Sequence, residues 1–407
     1  MFKRISIDDL QLGMHVAGFG SYEPGHPFAG RAQTVTDQEV LEHIQASGER
    51  EIWIDTDLGI DAPDTALNEV QAGVDRQLAA AADSPARERT EMAVELEQAV
   101  DLLRSARANV ERIFLSARHY RTLEIGLAQV LVAEIAASVE RNPGALISLA
   151  RLKEPADYTP LHSISVCALM LGLARQLELD PASTFEAGLG GLLHDIGKSF
   201  IARDLLDKPG RPSEAEFATL RSHTVLGYAF LAESSQVGPI PLEIALRHHE
   251  RTDGSGYPQA LVGEAIGQFA PMAAICDVYD AITSERPYQD SGQAAHAIRI
   301  MAAGAGKQFD QRLFHAFVKT VGIYPVGSMV RLASSRLAVV IEQGETSLLT
   351  PRVRAFFSLT DKRRIAPELI DLAVPGCEDR IVAREDAERW RFGRLEELWL
   401  GQPALAA

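Results

Sequence analysis

The chain has 407 residues, and at roughly 150 residues per domain this length predicts two or three domains. Its formal net charge of −16 argues against a nucleic-acid polymer as a partner, because such a partner usually requires a basic face. A small phosphorylated ligand stays compatible with that charge, since bound divalent cations invert the local field.

Cysteine usage and apolar runs indicate the compartment. Cys167, Cys276 and Cys377 form no CxxC pair, which argues against disulfides and a cysteine zinc site and favours a reducing compartment. The first residues lack the apolar segment of a signal peptide, and no run approaches the ~18 apolar residues of a membrane span. We therefore expect a cytoplasmic protein without a membrane partner.

In chain order, the pattern predicts an α+β multidomain protein. Residues 1–75 form a small β-rich N-terminal regulatory domain, in which residues 51–55 alternate as a half-buried strand. Residues 76–143 form a linker and connecting helices, because Ala, Leu, Glu and Arg dominate residues 91–140; these helices could also pair in a homodimer. Residues 144–322 predict an all-α bundle, and residues 323–407 a short β-rich extension ending in an amphipathic helix over 385–400.

An adjacent histidine and aspartate lie at the centre of the helical block, in residues 191–198. A helix over residues 185–198 would place His194 and Lys198 on one face, because positions i and i+4 are neighbours. Asp195 would then lie about 100° further round and could bridge two cations with its two oxygens.

Four further segments supply ligand-type side chains. They contain His162, His223, the pair His248 and His249, and the acidic residues Asp277 and Asp280. Mixed nitrogen and oxygen donors suit Fe, Mn, Zn or Ni better than Ca or Mg. Helical bundles often hold two such metals, and at about 3.5–4 Å apart they clamp a phosphate and activate a water.

Simpler interpretations exist for several of these residues. Taken alone, His194 and Asp195 indicate a buried histidine paired with a carboxylate. His248 and His249 alone indicate a pair of charges at a helix C-terminus, where the helix dipole favours cations. Asp280 is equally a partner of a metal ligand or of Lys198, or a helix cap. We expect Glu250, Arg251 and Asp253 to be solvated loop charges, Cys276 to be a buried apolar residue and Lys208 to be structural. Five of the six other histidines, His15, His26, His43, His296 and His315, are expected at the surface or in packing.

Residues 157–310 resemble the HD-GYP family, a branch of the HD phosphohydrolases whose members hydrolyse cyclic di-GMP. The resemblance rests on His194-Asp195 with Lys198, on His248-His249 followed by Gly256-Tyr257-Pro258, and on Arg286-Pro-Tyr. Residues 12–16 and 52–55 resemble an uncharacterised domain often found before HD-GYP domains, and the tail beginning at Tyr324 resembles an extension of that subgroup. The fold implied for the bundle is the HD-type helical domain.

The resemblance also implies roles for individual residues. One divalent metal would be held by His162, His194, Asp195 and Asp277, and the second by Asp195 as a bridge with His223, His248 and His249. Fe or Mn is expected, with Ni, Co or Zn as alternatives. Lys198 and Asp195 would be catalytic, Lys198 contacting the scissile phosphate and assisting the leaving oxygen. The substrate would contact Arg286 and the loop of Gly256, Tyr257 and Pro258.

Two positions depart from the family pattern. Tyr158 stands where some members carry a glutamate that holds a third metal, so two metals are expected. Gln289 stands where many members carry Lys or Arg, which predicts weaker ligand binding or altered substrate preference.

The resemblance thus implies a phosphodiesterase that opens cyclic di-GMP to pGpG, with GMP as a further product, through a water activated by two metals. The alternative is a slow or inactive cyclic di-GMP receptor that signals through its N-terminal domain and a protein partner there; Gln289 is its only support. A third hypothesis, a general HD nucleotide phosphohydrolase, fits the Gly-Tyr-Pro and Arg-Pro-Tyr segments less well.

Overall fold

A computed structural model gives the fold of the chain. It describes residues 2–19, 33–45, 51–55, 90–152, 158–284, 294–304, 307–344, 348–385, 390, 392 and 395–400. Residues 76–89 of the predicted linker and connecting helices lie outside the described residues, and so do His26, Arg286 and Gln289 and the side chains of His43 and His296.

The N-terminal part is a small antiparallel sheet of four strands with one helix. The strands lie in the order β1-β4-β2-β3, and they are β1 (Phe2–Ser6), β2 (His15–Phe19), β3 (Gln33–Thr34) and β4 (Glu51–Asp55), with α1 (Gln38–Gln45) between the last two. The prediction of a half-buried β4 is wrong, because Ile52, Trp53 and Ile54 are all buried. β4 pairs on both edges, and Trp53 stacks on Tyr120, so the face expected to meet water is covered.

The described residues from Thr90 to Gly322 form a helical bundle. Its helices are α2 (Met92–Tyr120), α3 (Ile125–Arg141), α4 (Pro143–Leu149), α5 (Tyr158–Gln176), α6 (Pro181–Leu193), α7 (Arg203–Leu206), α8 (Glu214–Arg221), α9 (His223–Ala232), α10 (Pro239–Arg247), α11 (Phe269–Thr283), α12 (Ala294–Gly304) and α13 (Gln311–Val321).

Two stretches of the bundle are each divided into two helices. Residues 91–140 break at Arg121, whose φ of 49° is left-handed and ends α2. Residues 213–231 break at Ser222, which ends α8 and precedes α9. α2 and α3 share one continuous buried core with α5 and α6, so they are packed parts of the bundle. The expected domain boundaries, including a connector over 76–143, stay a prediction.

The C-terminal part is a five-stranded antiparallel sheet. Its strand order is β8-β7-β6-β5-β9, with β5 (Met329–Leu332), β6 (Arg336–Glu342), β7 (Arg352–Ser358), β8 (Arg363–Asp371) and β9 (Ile381–Arg384). The single amphipathic helix predicted over residues 385–400 is wrong in its extent, because Glu385 and Phe392 are not helical and Leu395–Leu398 is a 3₁₀ turn. Trp390 is helical, and residues 386–389, 391, 393 and 394 lie outside the described residues. The rings of Trp390 and Phe392 pack on Phe357 of β7, with ring centroids 6.0 and 5.1 Å away.

The α+β multidomain class is confirmed, with sheets at both ends and the helical bundle between them. In the part of the chain that the structure describes, no helix combines the length and apolar character needed to cross a membrane.

Candidate metal centre

The end of α6 places His194 and Asp195 in the core. α6 begins at Pro181 after Asp180, whose carboxylate accepts a hydrogen bond from the Ser183 N–H at 3.0 Å. The helix ends at Leu193, and a 3₁₀ segment, Ile196–Phe200, follows. The helix predicted over residues 185–198 is therefore confirmed up to Leu193 and wrong in its extension to Lys198.

The 3₁₀ segment still brings Lys198 to Asp195. Residues i and i+3 are eclipsed in a 3₁₀ helix, and the Lys198 ammonium contacts Oδ2 of Asp195. A close approach to α9 accompanies this change of backbone: a Cβ at Gly197 would lie 1.9 Å from the His223 carbonyl oxygen. Glycine is thus required where the segment meets the first residue of α9.

Five histidines from different elements meet at this point. His162 comes from α5, His223 begins α9, and His248 caps α10 just before His249. The ligand atoms of His223, His248 and His249 lie within 4.8 Å of one another, and so do those of His162, His194 and Asp277. The structure thus gathers six of the seven metal ligands expected from the sequence into two neighbouring groups, and a third group of His194, Asp195 and His248 joins them.

Asp195 lies between the two groups and faces each with one oxygen. Its Oδ2 is 3.4 Å from Nε2 of His194 and 3.6 Å from Nε2 of His162. Its Oδ1 is 3.3 Å from Nε2 of His223 and 3.8 Å from Nε2 of His248. A carboxylate in this position can bind one cation on each side.

The hydrogen bonds behind the rings set their tautomers. The Nδ1 atoms lie 2.7–2.9 Å from backbone carbonyl oxygens, those of Gly191 for His194, Leu220 for His223 and Ile244 for His248. A carbonyl oxygen only accepts, so each Nδ1 carries the hydrogen and each Nε2 points a lone pair into the centre.

Asp280 and Asp277 orient the remaining two histidines. Nδ1 of His162 is 2.7 Å from Oδ2 of Asp280, so Asp280 is a partner of a candidate ligand. Nε2 of His162 is 3.2 Å from Asp277, and Nδ1 of His249 is 3.9 Å from the other Asp277 oxygen.

Burial and charge set the protonation of the centre, and at His223, His248, His249 and Asp195 they favour the state that a metal needs. Burial lowers the pKa of His223 and His248, and that of His249 to about 4, so these imidazoles are neutral at neutral pH. Burial opposes ionisation of Asp195, but Lys198 and His194 outweigh it and hold the pKa of Asp195 well below its usual range. The pKa of His162 is raised, because hydrogen bonds to Asp277 and Asp280 outweigh its burial.

Two buried atoms in the middle of the centre indicate which kind of group these residues can bind. Among the described residues, Nε2 of His194 and Oδ1 of Asp195 have no hydrogen-bond partner. Leaving such atoms unpaired in a protein interior is costly. Neutral imidazoles together with ionised carboxylates are a donor set that divalent transition metals prefer, so the residues fit bound cations.

The Gly-Tyr-Pro loop packs directly on a candidate ligand. The Tyr257 ring stacks on the His249 ring with centroids 4.7 Å apart. Gly256 leaves no room for a side chain, since a Cβ there would lie 2.4 Å from the Arg251 nitrogen. Pro258, which follows Tyr257 in the same loop, is exposed.

The expectation that Glu250 is a solvated loop charge is wrong. Its side chain is 2% exposed, and its carboxylate accepts hydrogen bonds from the backbone N–H groups of Gln259 at 2.6 Å and Leu261 at 3.0 Å. Glu250 therefore closes the loop that carries Tyr257. Nothing in the local sequence signals this, because both donors are backbone groups about ten residues away.

Arg221 was also missed. Its guanidinium carbon lies 4.9 Å from the centre of the Tyr257 ring and 4.3 Å from that of Phe217.

Lys208 pairs with Glu216 at 2.7 Å, Cys276 is buried and His315 is exposed, as expected.

Comparison with known proteins decides the family. A protein-family model described as "HD domain" matches residues 134–313, and a second family model, "Domain of unknown function (DUF3391)", matches residues 2–128. The chain is 45% identical to a cyclic di-GMP phosphodiesterase of Pseudomonas aeruginosa over 98% of this chain and 96% of that protein. The chain belongs to the HD-GYP family.

Other relatives match a shorter part of the chain. A cyclic di-GMP phosphodiesterase response regulator of Xanthomonas campestris is 35% identical over 53% of this chain and 58% of that protein. A 3′3′-cGAMP-specific phosphodiesterase of Vibrio cholerae is 32% identical over 41% of this chain and 36% of that protein.

Proposed function

We propose that this chain is a metal-dependent phosphodiesterase that hydrolyses cyclic di-GMP. The relative that matches nearly its whole length is named for that activity. The observation that carries the proposal is Asp195, whose two oxygens face two separate groups of histidines.

We assign two divalent cations to this centre. His162, His194, Asp195 and Asp277 would hold one, and Asp195, His223, His248 and His249 the other, as their grouping in space supports. Fe or Mn is the expected metal. When bound, the cations would supply charge to neutralise the phosphate and would lower the pKa of a water molecule.

Lys198 is the residue suited to the leaving oxygen. Its side chain is 35% exposed while its ammonium contacts the buried Asp195, so it lies at the boundary between the centre and solvent. An ammonium there can donate hydrogen bonds to the scissile phosphate and stabilise the negative charge that develops on the departing oxygen.

Tyr257 contributes a neutral hydroxyl beside the centre. Burial raises the pKa of Tyr257, so its O–H stays a donor at neutral pH. Arg286 would hold a phosphate of the ligand, as its position in the family motif implies. Gln289, which lacks a charge, would weaken that hold.

The products and the range of substrates follow from the same centre. Opening one phosphodiester yields pGpG, and cleavage of the second would yield GMP. Two Vibrio cholerae relatives are named as 3′3′-cGAMP-specific, so 3′3′-cGAMP is the competing substrate to test.

Product analysis tests the proposal. The chain, loaded with Fe(II) or Mn(II) under reducing conditions, is incubated with cyclic di-GMP or 3′3′-cGAMP, and nucleotides are separated over time. We expect pGpG from cyclic di-GMP, faster than cleavage of 3′3′-cGAMP, and none after chelation. Lys198→Ala should keep its metals and lose about 10²-fold in kcat, whereas Lys208→Ala, an exposed lysine, should not change. Metal-loaded protein that binds cyclic di-GMP without cleaving it would instead support a receptor.

A further inference from the structure

The last turns of α2 hold the 3₁₀ segment that carries Lys198. The Arg118 guanidinium donates to the carbonyl oxygens of Lys198 at 3.0 Å and Ile201 at 3.1 Å. The Ser199 hydroxyl donates to the Phe114 carbonyl oxygen at 3.1 Å. Arg118 lies four residues after Phe114 on the same helix. It binds the carbonyl groups at both ends of the turn 198–201, and it thereby fixes the backbone from which the Lys198 side chain extends.

The opposite side of the segment is packed equally closely. The approach of Gly197 to the His223 carbonyl leaves no space for movement toward α9. The 3₁₀ segment is therefore held between α2 and α9. The contact of Gly197 with α9 is too close for the segment to move in that direction. A shift of the α2 end therefore changes the position of Lys198 relative to Asp195.

The same turn of α2 contacts the N-terminal sheet. Tyr120 stacks on Trp53 of β4, with ring centroids 4.4 Å apart and planes inclined by 21°. Trp53 is 4% exposed, so this contact fixes the sheet on the helix end. Arg118 and Tyr120 are two residues apart, one facing the Lys198 segment and the other the sheet.

We propose that Arg118 is the positioning residue of Lys198, and that the Trp53–Tyr120 stack lets the N-terminal sheet act on catalysis through it. The proposal rests on the proposed function, since it concerns the role of Lys198 in phosphodiester hydrolysis. It assigns the N-terminal sheet a route to the centre that passes through the end of α2 and not through the metal ligands.

Arg118 variants of the full chain test the first half. Arg118→Ala should lower kcat on cyclic di-GMP about tenfold, with KM and metal content unchanged, and should speed hydrogen exchange of residues 198–201 about tenfold. Arg118→Lys keeps the charge, but one ammonium replaces a fork that reaches two carbonyls, so it should recover only part of both losses. Arg104→Ala, in an exposed pair on the same helix, is the matched control.

Tyr120→Leu tests the second half. It keeps an apolar contact but removes the ring stack, and we expect faster exchange of residues 198–201 and about threefold lower kcat, again with metals retained. Leu115→Ala, at an exposed position of α2, should alter neither.

Several results would overturn the proposal. They are unchanged exchange of residues 198–201 in Arg118→Ala, full recovery by Arg118→Lys, and loss of metal that accounts for the lost turnover. A Tyr120→Leu variant with wild-type exchange and kcat would overturn the route from the sheet. If the wild type does not cleave cyclic di-GMP, the proposed function fails, and the exchange measurements still decide whether the sheet, Arg118 and the segment are coupled.

Discussion

Replacing Glu250 by glutamine should loosen the loop that presses on the metal centre. The carboxylate is almost fully buried and accepts two backbone hydrogen bonds, from Gln259 and Leu261. A hydrogen bond to a charged group contributes about 1.5–3 kcal/mol. Glutamine keeps one acceptor oxygen but turns its NH₂ toward the other N–H, so Glu250→Gln should lower the free energy of opening this loop by about 2–3 kcal/mol.

Hydrogen exchange measures that free energy locally, which avoids fitting one unfolding transition to a multidomain chain. At about 1.4 kcal/mol per tenfold, the amides of Gln259 and Leu261 should exchange about 30- to 140-fold faster in the variant. Because Tyr257 in the same loop stacks on His249, we also expect kcat/KM to fall about tenfold.

Glu264→Gln is the matched control, since Glu264 is exposed at the far end of the loop region and should leave exchange and turnover unchanged. Exchange of the Gln259 and Leu261 amides within threefold of the wild type would refute the reasoning. It would mean that the Glu250 carboxylate does not restrain the loop.

Three further predictions concern the centre. Gly197→Ala places a Cβ against the His223 carbonyl and should cost about 1–3 kcal/mol of stability together with most metal binding; a urea midpoint and metal content equal to the wild type would contradict this. Asp280→Asn removes the carboxylate behind His162 and should weaken metal binding about 10- to 100-fold in competition with a chelator, and an unchanged affinity would exclude that role. The metal-free protein should lose stability as pH falls from about 6.5 toward 4. In that range the unfolded chain binds protons at His223, His248 and His249, whose folded pKa values are lowered by burial, and the raised pKa of His162 offsets only part of this. Urea midpoints at pH 7.5 and 5 check the sign, and a higher midpoint at pH 5 would contradict it.

The sequence was sufficient to identify the chemistry. Imidazole and carboxylate are ligand types wherever they lie, and their short fixed contexts, such as His194-Asp195 and His248-His249, carried the family resemblance that the comparisons confirm. Helical periodicity likewise predicted that the block after residue 143 is helical, and alternation predicted strands at both ends of the chain. These features depend on residues close together in sequence.

Local pattern failed where a distant partner determines the backbone. The helix predicted through Lys198 stops at Leu193, and its 3₁₀ continuation fits between α2 and α9. The amphipathic pattern over residues 385–400 does not give one continuous helix, since Phe392 is not helical and packs on Phe357 of β7. In both cases contacts with other elements outweighed helical propensity.

By itself, then, the sequence determined which side chains can bind metal and which family the chain joins. Only the tertiary structure decided that Asp195 faces two histidine groups, that Asp280 orients His162 from 118 positions away, and that Arg118 reaches the Lys198 backbone from 80 positions away. The physical reason is that orientation, tautomer and burial depend on atoms brought together by packing, and no short stretch of sequence contains both partners.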